Sequence, residues 1–313
     1  MIRKLFIVSA LVAGSSLLTA APSAADPAPI AAVLKTLSNP YWVAMRDGIA
    51  AEAKKRGVRV DIVSGNSEDD IEGQQRLMED VVNKNYKGII VAPISPVSLI
   101  PAIVKANHKG VYIVNVDERV DTAQLKAAGG NLDAYVGTDD LKVGQKAASF
   151  IVKQLGSAGG KVAIIEGKAG NASGEARVTG ATGVFKVSHG VTLVASQPAD
   201  WDRAKALDVT TNILQRNPDL RAIYAANDTM ALGAVQAVKN AGKAGKVMVV
   251  GTDGAPEAVS AVKSGELAAT VGQQAAAIGA RAVDILLDDI KSGKPASGVT
   301  MTDVKIDSQL ITK

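Results

Sequence analysis

What most constrains this chain is an alternation. From Pro29 onward, short runs rich in β-branched residues alternate with amphipathic stretches at a repeat of about thirty residues. Candidate strands lie at 30–34, 58–63, 88–92, 111–115, 134–136, 161–165, 191–195, 222–225, 247–251 and 268–271. Helical patterns fill the intervals, as at 42–56, where Val43, Met45, Ile49, Ala50 and Ala53 recur at three-to-four spacing. Gly57, Gly88, Gly110 and Gly190 mark helix ends or the turns into strands. This order specifies parallel sheets covered by helices on both faces, so the expected fold class is α/β with doubly wound sheets. Ten strands exceed what one open sheet over one core normally holds, so two lobes are expected. The pattern pauses over 121–132, at Ala127-Ala128-Gly129-Gly130-Asn131, and restarts with Tyr135 and a helix start at Asp139-Asp140. That pause marks the expected passage between lobes.

Hydrophobic residues make up 47% of the chain, yet it has only two Trp, five Tyr and three Phe, and no cysteine. With Ala, Val and Gly supplying most of the apolar mass, the layers must pack through small residues. The lack of cysteine excludes a disulfide framework, a thiolate metal site, a cysteine nucleophile and a lipid-anchored N-terminal cysteine. Arg3 and Lys4 precede an apolar run at 5–13, and Pro22-Ser23-Ala24-Ala25 supplies the small residues a signal peptidase needs. An export signal over 1–25, cleaved after Ala25, is expected. The run is shorter than the ~20 residues that span a bilayer. Its removal lowers the formal charge from +4 to +2 on 288 residues, so the basic balance gives no reason to expect nucleic acid. A cysteine-free exported chain suits an oxidising periplasm.

Ligands of open parallel sheets bind beyond the C-terminal ends of the strands. Lys35, Asn39, Tyr41 and Trp42 follow the first candidate strand, and Asn115, Asp117 and Glu118 follow the fourth. Later ends carry Glu166, Asn171, Glu175 and Arg177, then Trp201 and Asp202, Asn227 and Asp228, Asp253, and Gln273. The set holds both tryptophans and no histidine. Asp accepts, Arg and Lys donate, and Asn and Gln do both, which matches hydroxyls that are donors and acceptors at once. Hydrogen bonds to charged partners contribute ~1.5–3 kcal/mol each, and aromatic faces can cover the C–H faces of a sugar ring. A polyol ligand is the reading. Structural roles compete for single positions: Asp139, Asp228 and Ser173 as helix N-caps, Asn39 before Pro40 as a turn residue, Trp201 as core.

Six segments, in order, carry a more specific signal. They are Lys35-Thr-Leu-Ser-Asn-Pro-Tyr-Trp42, Asn115-Val-Asp-Glu118, Glu166-Gly-Lys-Ala-Gly-Asn-Ala-Ser-Gly-Glu-Ala-Arg177, Gln197-Pro-Ala-Asp-Trp-Asp-Arg203, Ala226-Asn-Asp-Thr-Met-Ala-Leu-Gly233 and Gly251-Thr-Asp-Gly254. Together the chain resembles the periplasmic sugar-binding proteins of the ribose-binding type, which feed ABC importers, and within them the allose-binding members. The resemblance implies a type I periplasmic binding protein with three hinge crossings: an N-terminal lobe of 26–129 and 274–303, and a C-terminal lobe of 130–273 and 304–313. It implies a monosaccharide ligand, D-allose first, with D-allulose, ribose or a pentitol as alternatives. By position, Tyr41 and Trp42 would pack the sugar ring from one lobe and Trp201 from the other. Asp117, Asn171, Arg177, Asn227, Asp253 and Gln273 would serve the hydroxyls, with Lys35 and Asn39 completing the wall. Departures from the ribose pattern argue against ribose as the main ligand: Lys35 replaces a serine, Ala92-Pro93 an Asn-Pro pair, and Glu118 an arginine. The implied partners are an inner-membrane ABC permease and, in some members, a chemoreceptor; the chain is expected to act as a monomer, without cofactor or metal.

Other classes fit less well. Gly167-Lys-Ala-Gly170 and Gly174 follow a strand and precede a helix, but their spacing matches neither phosphate-loop pattern. His108 and His189 each stand just before a helix-ending glycine, where they complement a helix C-terminus better than they serve as bases. No metalloprotease helix, calcium loop or nucleophile elbow is present, so no catalytic residue is expected. A sugar-responsive regulator would need a DNA-binding head, and residues 1–29 read as an export signal instead.

Overall fold

The computed structural model describes residues 30–293 and 301–313; the expected export signal and its cleavage point lie outside them. The chain opens with β1 (Ile30–Thr36), α1 (Pro40–Lys55), β2 (Val60–Gly65), α2 (Ile71–Val82), β3 (Gly88–Val91), α3 (Ile100–His108), β4 (Tyr112–Val116), α4 (Thr122–Ala127) and β5 (Ala134–Gly137). It continues with α5 (Asp140–Leu155), β6 (Gly160–Glu166), α6 (Ala172–Val187), β7 (Val191–Pro198), α7 (Arg203–Arg216), β8 (Leu220–Ala225) and α8 (Asp228–Asn240). The last elements are β9 (Met248–Asp253), α9 (Pro256–Ser264), β10 (Ala269–Gly272), α10 (Ala275–Ser292), β11 (Thr302–Lys305) and β12 (Gln309–Thr312).

Two six-stranded sheets form, ordered β11-β5-β4-β3-β1-β2 and β12-β10-β9-β8-β6-β7. Strands pair in parallel throughout, except that β12 runs antiparallel to β10. Each expected run coincides with one of β1–β10, and central strands such as β1, β3 and β4 are buried along their whole length, as sheets covered on both faces must be. The switch in direction between β1 and β3, and between β6 and β8, opens a crevice at the C-terminal edge of each sheet.

The lobe boundaries differ from the expected ones in two places. β5 pairs with β4 in the first sheet, so the chain leaves that lobe after Gly137, not at Gly129-Gly130. The glycine pause is only the end of α4, with Gly129 at φ 82° closing the turn. The second crossing falls between β10 and α10, because α10 packs against α1. The third lies between β11 and β12, after Lys305 instead of at 303, since β11 extends the first sheet and β12 the second. These last strands are short and polar, with little of the apolar run that betrays a buried strand.

Small residues let the helices approach closely. A Cβ on Gly48 would lie 2.1 Å from Ala276 O, where α1 meets α10, and one on Gly144 would lie 1.9 Å from Arg177 O, where α5 meets α6. The Ala- and Gly-rich composition therefore sets backbone-to-backbone distances, and the second of these contacts seats the helix that carries Arg177.

Candidate functional site

A cleft lies between the two lobes. Thirteen residues line it: Lys35, Asn39, Tyr41, Trp42, Glu68 and Asp117 from the first lobe, with Asn171, Ser173, Arg177, Trp201, Asn227, Asp253 and Gln273 facing them. The eleven residues that the resemblance assigns to the sugar are brought together here, whereas the strand-end candidates Asn115, Glu118, Glu166, Glu175, Asp202 and Asp228 do not line the cavity. Glu68 and Ser173 are additional. Glu68 follows β2, whose C-terminal end opens on the same edge as that of β1, so extending the strand-end rule to the second strand would have found it. His108 and His189 lie away from the cavity, at the C-terminal ends of α3 and α6.

Local structure explains how each wall is presented. Three of the asparagines are helix N-caps: Asn39, Asn171 and Asn227 accept from the backbone N–H of Tyr41, Gly174 and Met230 at 3.0, 2.9 and 2.8 Å. Capping uses the amide oxygen and leaves the NH₂ of Asn39 and Asn227 to other partners. Two of the structural roles expected from sequence change hands as a result. Asp139 does cap α5, whereas Asp228 and Ser173 are not the caps of their helices. Asp228 instead accepts from Ala255 N–H and Thr270 Oγ1, each at 2.7 Å, and so pins the turn after Asp253.

The loop after β4 is cinched by Asn115, whose amide donates to Val91 O and Glu118 O while its oxygen accepts from Val120 N–H. Asp117 then sits at φ 60°, a left-handed conformation costly for most side chains but tolerated by Asp. Tyr135 donates to its carbonyl at 2.6 Å, and Tyr41 donates to its Oδ1 at 2.6 Å. Trp201 and Asp200 also have positive φ, 64° and 53°. The Trp201 indole lies over Gly167 and Gly174, where a Cβ would come within 2.0 and 2.9 Å of the ring. The glycine-rich segment before α6 thus makes room for an indole.

The charges are arranged around two buried cations. Arg177 donates from Nε to Asp140 Oδ1 at 2.8 Å and from Nη1 to Ala226 O at 2.9 Å, with Asp253 Oδ1 3.7 Å away and the Trp201 ring centroid at 5.8 Å. Burial opposes its charge, but Asp140, Asp253 and Asp117 outweigh burial and keep the guanidinium charged. Lys35 lies 3.7 Å from Glu118 Oε2, 4.0 Å from Glu68 Oε2 and 5.3 Å from the Trp42 ring centroid. Burial likewise opposes its charge, and Glu118, Glu68 and Asp117 more than offset it. Trp42 donates from its indole N–H to Glu68 at 2.6 Å and meets the Tyr41 ring edge-on at 5.0 Å.

The acids pay for this crowding. Burial pushes the Asp253 carboxyl up to about 7 although Arg177 and the Gln273 amide pull it down, and pushes Asp140 up to about 6 against Arg177. Burial followed by the Asp117 charge holds the Tyr41 phenol well above its ordinary value, so it acts as a donor. Gln273 donates from Nε2 to Asp253 Oδ1 at 2.8 Å, while its Oε1 is sealed from solvent with no hydrogen-bond partner. A buried acceptor left empty is costly, and a ligand hydroxyl would satisfy it.

A sequence profile described as a periplasmic binding protein domain matches residues 30–295. The D-allose-binding periplasmic protein of Escherichia coli is 56% identical over 306 residues, covering 97% of both chains. A ribose import binding protein of Bacillus subtilis is 35% identical over 276 residues, covering 88% of this chain and 86% of its own. Among solved structures, an ABC transporter periplasmic solute-binding protein of Actinobacillus succinogenes with bound D-allose superposes with a TM-score of 0.85 at 38% identity, covering 91% of this chain and 98% of that one. With two doubly wound lobes facing a shared polar cleft, the chain belongs to the periplasmic binding protein family.

Proposed function

We propose that this protein is the periplasmic solute-binding component of an ABC sugar importer, taking a neutral monosaccharide, D-allose first, between its lobes and delivering it to a membrane permease. The observation that carries this is the chemistry of the cavity. It offers hydrogen-bond donors and acceptors from both lobes, flanks them with Tyr41, Trp42 and Trp201, and holds one buried acceptor without a partner on Gln273. The lining carries three carboxylates against two cations, which disfavours sugar acids and sugar phosphates. The protein is a binding protein and not an enzyme, as its relatives are. Among the described residues no helix is long and apolar enough to cross a membrane. Export through the signal expected at 1–25 would place the chain in the periplasm.

Binding stabilises the form in which both walls touch the sugar, so ligand affinity reflects the difference in contacts between open and closed lobes. A calorimetric panel of aldoses, ketoses and polyols tests the reading, since a ligand of the folded state alone raises its stability by an amount that grows with the logarithm of its affinity. The expected result is tight binding of D-allose, weaker binding of D-allulose, ribose and pentitols, and none of glucose 6-phosphate. Failure of every neutral monosaccharide to bind would overturn it.

A further inference from the structure

Glu118 is fully buried yet does not line the cavity. It belongs to the first lobe, on the loop after β4, but its side-chain hydrogen-bond partners lie on the second, at the start of α6. Its Oε1 accepts from Ala172 N–H at 2.9 Å; its Oε2 accepts from the Asn171 amide and lies 3.0 Å from the Ser173 hydroxyl. Ala172 is the first residue of a sixteen-residue helix, where unpaired N–H groups and the helix dipole favour a carboxylate. Lys35, from the same lobe as Glu118, stands 3.7 Å behind Oε2 and balances the buried charge without replacing those partners.

We propose that Glu118 is a clasp: a carboxylate of one lobe that docks on the N-terminus of α6 in the other and stabilises lobe closure whichever sugar is bound. Opening the lobes removes these contacts together and returns the carboxylate to water. Because Glu118 does not itself line the cavity and reaches it only through Asn171, Ser173 and Lys35, its main contribution to affinity is common to all ligands. It also holds Lys35 in place beyond hydrogen-bond distance, leaving the ammonium donors for a ligand. This deepens the sugar-binding reading, and its affinity arm rests on that reading.

Two substitutions test it from opposite sides. Glu118→Gln keeps the shape but turns an NH₂ towards Ala172 N–H or towards the Asn171 amide and Lys35, a donor facing donors. Ala172→Pro removes the backbone donor at the first helical position, where proline is well tolerated, and changes no cavity residue. Stopped-flow and calorimetric measurements across the sugar panel should show Glu118→Gln losing roughly 10- to 100-fold in affinity, by a common factor for every sugar, mostly through faster dissociation. Ala172→Pro should lose several-fold alone and little more in the Glu118→Gln background. Losses that vary more than tenfold from sugar to sugar would make Glu118 a ligand contact and overturn the clasp, as would wild-type affinity in both variants. The absence of cysteine allows a ligand-independent readout, with labels on Glu72→Cys and Val187→Cys, exposed sites on opposite lobes. Without sugar, Glu118→Gln should shift the inter-lobe distance distribution towards open. If wild type binds no sugar, the functional reading fails and the distances alone decide the clasp, identical distributions overturning it.

Discussion

The two walls of the cleft are built differently. The wall of the second lobe is cross-linked within itself: Arg177 ties α6 to Asp140 and Ala226, Gln273 reaches Asp253, and Asp228 pins the turn beyond it. The wall of the first lobe is tied at Asp117 by Tyr41 and Tyr135 but is looser around its rings and Lys35. Its rings Tyr41 and Trp42 each rest on one acid, and Lys35 is held by carboxylates at 3.7 and 4.0 Å, too far for hydrogen bonds. One wall is preorganised through buried charge, and the other keeps its donors and rings available for what enters. Preorganisation lowers the ordering cost of binding, so the second lobe should serve as the platform on which the first closes.

The largest effect should come from the centre of the cross-linked wall. Arg177→Ala leaves Asp140 and Asp253 buried without their cation; a loss of about 3–5 kcal/mol in unfolding free energy and no detectable sugar binding are expected from denaturant titration and calorimetry. Arg177→Lys should restore part of the stability but little binding, because a point charge cannot reproduce the planar fork. A stability unchanged in Arg177→Ala would dissolve the contrast between the walls.

Next come one residue from each side. Trp201→Ala and Asp117→Ala should each abolish calorimetrically measurable binding while cooperative unfolding persists. Since both tryptophans border the cavity, sugar should change the intrinsic fluorescence of the wild type. A remaining sugar-induced change in Trp201→Ala would report Trp42 and the closing of the first wall.

The acids of the second wall predict a pH dependence. Asp253 titrates near 7 and Asp140 near 6 in the folded chain, above the ordinary Asp value near 3.8. Over pH 4 to 7 the folded state therefore binds more protons than the unfolded state, and stability contributed by these groups falls as pH rises. Buried Asp133, pushed up to about 7 by burial, acts in the same direction. Asp253→Asn should raise the stability of the sugar-free protein by about 1 kcal/mol at pH 8 and flatten the slope, while weakening sugar binding severely. A steeper slope in the variant, read from thermal midpoints across pH, would reverse the assignment.

The smallest effect belongs to the looser wall. Tyr41→Phe frees Asp117 Oδ1 from its phenol donor and should change D-allose affinity by less than tenfold, with a different factor for D-allulose or ribose. Equal factors for all sugars would show that the hydroxyl sets no preference.

Legibility divides along similar lines. Strand positions were readable because runs such as Ile30–Leu34 and Val162–Ile165 are buried on both faces and need apolar residues without a break. The strand-end rule gathered most of the cavity residues, because the C-terminal ends of parallel strands converge on one crevice, but it also gathered six residues outside the cavity and missed Glu68 and Ser173; the resemblance narrowed the set. β11 and β12 were missed because exposed edge strands such as Thr302-Asp303-Val304-Lys305 need no such run. Asp228 and Ser173 resemble caps in sequence, and only the fold shows Asn227 and Asn171 taking those positions.

Local pattern alone thus determined the α/β class, the existence of two lobes and the roster of polar and aromatic side chains at the strand ends. Tertiary structure alone decided which lobe owns β5, where the chain crosses, and which acids are spent on Arg177, Lys35 and the start of α6. The reason is range. Hydrophobic periodicity and capping act over a few residues, whereas the contact between Glu118 and Ala172 joins groups 54 residues apart on different lobes.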